Sequence, residues 1–143
     1  MNITDKKPYL LDFPKHGDDR GWLTVIENDS DIPFEMKRIF YIYGSDSNVV
    51  RGRHANIKSE FVLVNVAGSC KVKVTDGYGY DHVFVMDRPN LGVYIPKMYW
   101  KEMYDFSENS VLLCISSEKY DSSEYLRDYS EYKKIVKPDN ILQ

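Results

Sequence analysis

The stretch EFVLVNVAGSCKVKVTDG, residues 60–77, decides the fold, because apolar and polar residues alternate along it on both sides of a short turn. In an extended chain Lys71 and Lys73 would lie on one face, with Val72 and Val74 on the other. The residues AGS at positions 67–69 are turn formers and separate the two alternating halves. The pattern predicts two successive strands that each have one face in solvent.

Four other segments are short and rich in β-branched and aromatic residues, as strands are. They are RIFYIY (38–43), DHVFVMD (81–87), GVYIP (92–96) and VLLCISS (111–117). Turn signals such as DGYG (76–79) and RPNLG (88–92) lie between segments, and no periodic stretch of helical length intervenes. We therefore expect an all-β fold, either an antiparallel sandwich or a barrel.

The C-terminal part of the chain changes character. In SSEYLRDYSEYKKIV (122–136), Ser122 or Ser123 is a suitable helix cap, and Tyr125, Tyr129 and Tyr132 recur at helical spacing. We expect a short C-terminal helix that lies on the wall of the β structure.

Composition limits the classes of function. The 143 residues suit a single domain spanning residues 1–143, and a net charge of −3 without a dense Lys/Arg stripe indicates neither nucleic-acid nor membrane-surface binding. The start of the sequence, MNITDKKPYL, is polar where a signal peptide needs an apolar run. No apolar stretch approaches the roughly 20 residues that a membrane span needs. We expect a soluble, cytoplasmic protein, with Cys70 and Cys114 as reduced thiols in its core.

Residues 51–69, RGRHANIKSEFVLVNVAGS, contain the groups best suited to chemistry. On an alternating backbone His54, Asn56, Lys58 and Glu60 would point to one side, as a site inside a barrel requires. An imidazole with an ordinary pKa of about 6.5 suits proton transfer near neutral pH. The alternative is a structural His54 whose ring hydrogen-bonds a neighbouring carbonyl group.

The same stretch resembles the first cupin motif, with Gly52, His54, Asn56, Glu60 and Gly68 at the motif positions. The segment IPKMYWKEM (95–103) resembles the second motif and has Lys101 where the last metal-ligating histidine would stand. Two of the usual ligands are therefore replaced, and an ammonium group would repel a divalent cation. We expect no metal, and we expect His54 to be used for its proton.

Five blocks together resemble the WxcM-like sugar-nucleotide 3,4-ketoisomerases, from about residue 12 to residue 132. The blocks are DDRGWLTVIE (18–27), IPFEMKRIFYIYG (32–44), RGRHAN (51–56), VYIPKMYWKEMYDF (93–106) and SSEKYDSSEYLRDY (116–129). The resemblance implies a cupin jelly-roll homodimer, often with exchanged N-terminal strands, that needs no cofactor. It also implies action on dTDP-4-keto-6-deoxyglucose, in which the keto group moves from C4 to C3 as a proton leaves C3 and one returns to C4.

The resemblance also implies roles for individual residues. The base of the family falls on His54, whereas the usual second histidine falls on Asn56, which cannot take up a proton. Tyr41 and Lys101 are our candidates for the group that protonates the sugar oxygens. Arg20 occupies a position that sets the configuration at C4, and an arginine there resembles the type that forms the galacto product.

Further residues are candidates for substrate binding. Arg38 and Arg51 offer guanidinium donors for the diphosphate, Trp100 offers a stacking face for thymine, and Asn56 can bind a sugar hydroxyl group or the enediol oxygen. Glu60, which would lie on the same side of the chain as His54 and Asn56, is also a candidate for substrate binding. The alternatives are that each arginine is a solvated charge and that Trp100 belongs to the core.

Other functions remain open at this stage. One is a cupin that binds a sugar nucleotide without catalysis, and another is an epimerase or a different sugar-nucleotide isomerase with the same base beneath another carbon. A metal-dependent dioxygenase or isomerase of the wider cupin class is disfavoured by the missing ligands.

Overall fold

The computed structural model describes residues 6–137, which form twelve strands, one 3-10 turn and one helix. The strands in chain order are β1 (Tyr9–Asp12), β2 (Lys15–Asp18), β3 (Gly21–Thr24), β4 (Arg38–Tyr43), β5 (Arg51–Asn56), β6 (Phe61–Ala67), β7 (Cys70–Thr75), β8 (Asp81–Met86), β9 (Leu91–Ile95), β10 (Trp100–Tyr104), β11 (Val111–Ser116) and β12 (Tyr125–Leu126). The 3-10 turn (Ser122–Glu124) precedes β12, and helix α1 (Tyr129–Val136) follows it.

Ten of these strands form two five-stranded antiparallel sheets. Their orders are β1-β9-β6-β11-β4 in the first sheet and β12-β5-β10-β7-β8 in the second, and β2 and β3 form a separate hairpin. Apolar side chains from both sheets meet in one core, which also holds the free thiols of Cys70 and Cys114. This arrangement confirms the predicted all-β jelly roll and all six strands expected from the sequence.

Strand β7 follows the predicted alternation. Val72 and Val74 are buried in the core, while Lys71 and Lys73 are on the wet face, where their ammonium groups lie 3.0 Å from Asp105 and 3.7 Å from the carboxylate of Asp81. Alternation fails in β6, where Phe61, Val62, Leu63, Val64 and Asn65 are all buried. The outer face of β6 is covered by Ile32 and by the partly buried side chains of Phe34 and Met36, so it needs no polar residues.

The C-terminal helix exists, but it starts later than the sequence suggested. Asp128 caps α1 by accepting from the amide of Glu131 at 3.1 Å, whereas Ser122 opens the 3-10 turn. Tyr125 is extended and pairs with Asn56 across β12 and β5. Strand pairing at the edge of the second sheet satisfies backbone groups there and outweighs the helical spacing of the tyrosines.

Tyr132 anchors helix α1 to the second sheet. Its hydroxyl oxygen lies 2.7 Å from the carbonyl oxygen of Met98 and 3.1 Å from that of Thr75, and the amide of Trp100 donates to it at 3.3 Å. The side chain is fully buried with Trp100 and Val136. The hydroxyl group of Tyr132 therefore fixes the start of β10, the strand that leads into the site described below.

We predict that Tyr132→Phe lowers the free energy of unfolding by about 1–3 kcal/mol, because it leaves buried backbone groups without a hydrogen-bond partner. Tyr129→Phe, at an exposed ring of the same helix, should change it by less than about 0.5 kcal/mol. Urea denaturation of both variants measures the difference. Equal stabilities for Tyr132→Phe and the unmodified protein would show that the hydroxyl group does not anchor the helix.

Candidate active site

A cavity of about 300 Å³ opens between the two sheets. Its apolar part is formed by Phe40, Ile42, Phe61, Leu63, Met103 and Cys114. Polar and ionisable side chains also line it, namely Arg38, Arg51, His54, Lys101, Tyr120 and Tyr125. A concave apolar pocket with a few converging polar groups is the usual form of a small-molecule site.

A β-bulge in β5 brings two of these groups to the same side. Lys101 pairs with His54 but Glu102 pairs with Gly52, so that Arg53 is the extra residue. Gly52 and Arg53 have φ angles of 84° and 57°. Because the bulge inverts the alternation, Arg51 lines the same cavity as His54 although the two are three positions apart.

Besides its positive φ angle, the close approach of β10 favours glycine at position 52. A Cβ atom there would lie 3.0 Å from both the carbonyl oxygen of Lys101 and the sulfur of Met103. The absence of a side chain thus lets β5 approach β10 closely at the level of His54.

His54 is held in its neutral form. Burial is the main cause that lowers its pKa to about 3; the positive charge of Lys101 lowers it further, and the Gly52 backbone acts in the opposite sense. The ring packs against Tyr125 with centroids 4.7 Å apart, and its buried Nδ1 has no hydrogen-bond partner among residues 6–137. At neutral pH this imidazole is uncharged, so one ring nitrogen carries no proton and can accept one.

Lys101 is a buried ammonium group in the same cavity. Its side chain is 3% exposed, Nζ donates to Oδ1 of Asn56 at 2.9 Å, and it lies 4.8 Å from the centroid of the Phe61 ring. Burial lowers the pKa of Lys101 to about 7, although the carboxylate of Glu124 opposes this. A group with a pKa close to the working pH is well suited to donate and recover a proton.

Asn56 accepts the hydrogen bond that Lys101 donates. The residue is 1% exposed, its Oδ1 faces Lys101, and its Nδ2 has no hydrogen-bond partner within the described chain. Buried donors are nearly always satisfied. Asn56 is not among the residues that line the cavity, so a hydrogen bond from its free amide group to a ligand oxygen stays a prediction.

Two tyrosines of the cavity were not predicted from the sequence. Nη2 of Arg38 donates to the hydroxyl group of Tyr125 at 3.1 Å, and the guanidinium carbon of Arg38 lies 5.4 Å from the Tyr120 ring centroid. Since Tyr125 accepts from Arg38, its own hydroxyl proton is free to point elsewhere. Both tyrosines belong to the block at 116–129 that carried the family resemblance, which was the available signal.

Tyr41 borders the cavity, but its ring is turned away from His54. The side chain is 60% exposed and packs on Tyr43 with ring centroids 5.8 Å apart. Along β4, Arg38, Phe40 and Ile42 face inward, so pleating directs Tyr41 outward. Tyr41 thus borders the cavity from the outer face of β4, and its role as a proton donor to the sugar oxygens stays a prediction.

The expected row of side chains after His54 ends at Asn56. Strand β5 stops there, and in the following turn Lys58 is exposed. Glu60 belongs to another cluster, where Tyr94 donates to its carboxylate and the ammonium of Lys6 lies 3.7 Å away. The structure therefore does not place Glu60 in the cavity of His54.

Trp100 and Arg20 also lie elsewhere. Trp100 is buried against Tyr129 and Tyr132, with ring centroids 5.0 and 5.5 Å away. It therefore belongs to the core, which was the alternative to a stacking face for thymine. Arg20 is at the turn of the β2–β3 hairpin, where its guanidinium group lies 2.7 Å from the carboxylate of Asp18. In a single chain neither residue contributes to the cavity.

No group of three or more His, Cys, Asp and Glu side chains among residues 6–137 is arranged to hold a metal ion. Within the same range, no helix has the length and apolar character to cross a membrane.

A two-sheet jelly roll that encloses a neutral imidazole and a buried ammonium group defines a class, the cupin-type proteins with an acid–base site. Comparisons with known proteins narrow this class. Residues 6–137 match the family FdtA, described as WxcM-like, C-terminal. The TDP-4-oxo-6-deoxy-alpha-D-glucose-3,4-oxoisomerase of Aneurinibacillus thermoaerophilus is 38% identical over 132 residues, covering 92% of this chain and 94% of that protein.

Solved structures agree with this assignment. A 3,4-ketoisomerase from Helicobacter canadensis has a TM-score of 0.87 and 41% identity over 90% of this chain and 96% of its own. QdtA from Thermoanaerobacterium thermosaccharolyticum, a 3,4-ketoisomerase solved as a histidine-to-asparagine variant with TDP-4-keto-6-deoxyglucose, has a TM-score of 0.88 and 34% identity over 95% of this chain and 97% of its own. The chain belongs to the FdtA family of WxcM-like domains and is an isomerase of the 3,4-ketoisomerase class.

The low pKa of His54 predicts a specific dependence of stability on pH. The unfolded chain binds a proton at His54 below about pH 6.5, whereas the folded protein does so only near pH 3. Stability must therefore fall as the pH drops from about 6.5 to 4, with His54 contributing up to about 1.4 kcal/mol per pH unit. His54→Gln should show a shallower decline in urea unfolding experiments across this range.

His16→Gln is the matched control, because His16 is exposed on β2. It should keep the pH dependence of the unmodified protein. Identical slopes for His54→Gln and His16→Gln would contradict a neutral, buried His54.

Proposed function

We propose that this protein converts TDP-4-keto-6-deoxyglucose into the corresponding 3-keto-6-deoxyhexose, with His54 as the base and Lys101 as the acid. The observation that carries the proposal is the pair itself, a neutral imidazole and a buried ammonium group that line one cavity. The related oxoisomerase and QdtA, whose names and ligand identify this sugar, support the choice of substrate.

The reaction needs one base and one acid. His54 removes the proton from C3, which is acidic because it neighbours the C4 carbonyl, while Lys101 gives a proton to the C4 oxygen and an enediol forms. The enediol then collapses in the other direction. Lys101 recovers a proton from the C3 hydroxyl group, His54 returns its proton to C4, and the carbonyl group is now at C3.

Electrostatics favours His54 as the base and Lys101 as the acid. Before the reaction the pair carries one positive charge, on Lys101. When His54 gains a proton and Lys101 gives one away, the pair still carries one positive charge, so His54 and Lys101 are never both cations at the same time. Because the positive charge of Lys101 lowers the pKa of His54, His54 becomes a stronger base as Lys101 gives up its proton.

The remaining polar groups are assigned to binding. Arg38 and Arg51 lie at the cavity and offer guanidinium donors to the diphosphate. Nε of Arg38 is buried without a hydrogen-bond partner among the residues described, as Nδ2 of Asn56 is. Asn56 would bind a sugar oxygen, and Tyr120 and Tyr125 supply the aromatic wall.

The first test is incubation of the purified, chelator-treated protein with TDP-4-keto-6-deoxyglucose in deuterated buffer, followed by proton NMR. The C3 proton signal should disappear and a 3-keto product should form, with deuterium at C4 to the extent that the proton on His54 exchanges with solvent before it is returned. His54→Asn should lower the rate at least about 100-fold, as expected for loss of a general base. His16→Asn serves as the matched control and should react normally.

Lys101 is tested in the same assay. Lys101→Met should lower kcat by a similar factor, whereas Lys101→Arg should restore binding of the sugar oxygens but not proton donation. Binding of the substrate without any change in its spectrum would favour a non-catalytic protein. Deuterium at another carbon without a 3-keto product would indicate an epimerase.

We also propose that the protein is a homodimer. Trp22, 65% exposed, and Leu23 lie on the β2–β3 hairpin, and Ile39, Tyr41 and Tyr43 form an exposed aromatic and apolar row on the edge strand β4. Exposed apolar groups of this size are typical of interaction surfaces. Exchange of the hairpin between two chains would cover Trp22 and would bring Arg20 towards a partner chain.

We predict that the protein sediments at twice the mass of one chain, and that the double variant Trp22→Ser, Leu23→Ser sediments as a monomer at the same concentration. Tyr78→Ser, another exposed aromatic position, should leave the dimer unchanged. Analytical ultracentrifugation separates the two outcomes. A monomeric unmodified protein at micromolar concentration would refute the dimer.

We infer that the chain acts as a single domain in the cytoplasm. Both of its cysteines are buried, free thiols, and burial raises the pKa of Cys70 to about 12 and that of Cys114 still further. Unpaired thiols are typical of reducing compartments.

A further inference from the structure

Glu124 is a buried carboxylate whose negative charge acts on the proposed acid, Lys101. It is 3% exposed and ends the 3-10 turn before β12. Its Oε1 accepts from the amides of Lys58 at 2.9 Å and Ser59 at 2.8 Å, and the hydroxyl group of Ser59 donates to Oε2. Burying a carboxylate is costly unless hydrogen bonds and an opposite charge compensate for it.

Its hydrogen bonds fix the chain on both sides of Asn56. The carbonyl oxygen of Glu124 accepts from the amide of Ile57 at 3.0 Å, and Tyr125 pairs directly with Asn56. Because the carboxylate holds the turn that follows β5, Asn56 cannot shift without breaking these bonds. The position of Asn56 in turn determines where Lys101 donates its hydrogen bond.

The charges around Lys101 are otherwise unfavourable to an ammonium group. Glu124 is the charged group that favours the ammonium form of Lys101, because burial keeps the thiol of Cys114 neutral. The other ionisable side chains that line this cavity are each neutral or positively charged, and they are His54, Arg51, Arg38, Tyr41, Tyr120 and Tyr125. Arg127, just beyond β12, adds a further positive charge that acts on His54. Among the described residues at this site, Glu124 is thus the carboxylate that balances the lysine.

We propose that Glu124 is a positioning residue for the isomerisation, which holds Asn56 against Lys101 and supplies the negative charge that keeps Lys101 protonated. This inference rests on the proposed role of Lys101 as the proton donor. Glu124 itself does not line the cavity and touches no reacting atom.

The consequence can be measured on Lys101 directly. Burial already lowers the pKa of Lys101 to about 7, with Glu124 opposing the shift. Glu124→Gln preserves the size of the side chain and an oxygen acceptor for the amides of the turn, but it removes the charge. The titration midpoint of Lys101 should therefore fall.

The experiment is a carbon-13 NMR titration of protein labelled at the lysine Cε, with the Lys101 signal identified by its loss in Lys101→Arg. In Glu124→Gln the midpoint should fall by about one pH unit or more, as expected for loss of a nearby opposite charge. Asp121→Asn is the control, because it removes the same charge from an exposed position in the same segment and asparagine caps equally well. It should leave the midpoint unchanged.

Enzyme kinetics provide the second readout. Lys101 must be protonated to act, so the alkaline limb of kcat should move to lower pH in Glu124→Gln by the same amount, with little change in KM. Activity should recover towards the normal value at pH 6. A variant that is merely loosely packed would instead lose activity equally at every pH.

Glu124→Asp provides the conservative variant. It retains the charge, so its midpoint and its alkaline limb should stay close to those of the unmodified protein even if its stability is lower. An unchanged Lys101 midpoint in folded Glu124→Gln overturns the inference, as does a fall in Glu124→Asp as large as in the glutamine variant. A shifted midpoint with an unshifted kcat profile would instead refute Lys101 as the donor and leave the charge pair intact.

Discussion

The pairing of β5 with β10 is the constraint on which the rest of the site depends. It sets Lys101 opposite His54 and lets Nζ of Lys101 reach Oδ1 of Asn56 at 2.9 Å. Because side chains alternate along a strand, a shift of this register by one residue would turn Lys101 out of the cavity. The bulge at Gly52 and Arg53 fixes the register at one point and admits Arg51 to the same face.

A buried ammonium group makes the site energetically demanding. Its desolvation is offset by the Asn56 amide, by the face of Phe61 and by the charge of Glu124. The same desolvation lowers the pKa of Lys101 to about 7. Burial therefore costs stability, but it also lets Lys101 give up and recover a proton near neutral pH. The positive charge also helps to keep His54 neutral, and the two groups acquire complementary roles because they share one cavity.

The strands whose residues alternate, or are rich in β-branched and aromatic types, could be predicted from the sequence, as the six confirmed segments show. Strand β12 could not, because Tyr125 is extended only through pairing with a distant part of the chain. The orientation of Tyr41 depends on which residues of β4 face the core. Glu60 does not continue the row that starts at His54, because β5 ends at Asn56. The balance of Lys101 by Glu124 joins residues far apart in the sequence, and no local pattern encodes it.

Asn56 and Lys101 are the two departures from the cupin motifs, and the structure joins them by a hydrogen bond. Their contact gives one physical reason for both. A histidine at position 56 could accept from Lys101 only while neutral, and once protonated it would set a second cation beside the ammonium group. An amide accepts at every pH and never carries charge. With Lys101 as the acid, asparagine is therefore the better neighbour, and the proton that a second imidazole would carry passes to Lys101 itself.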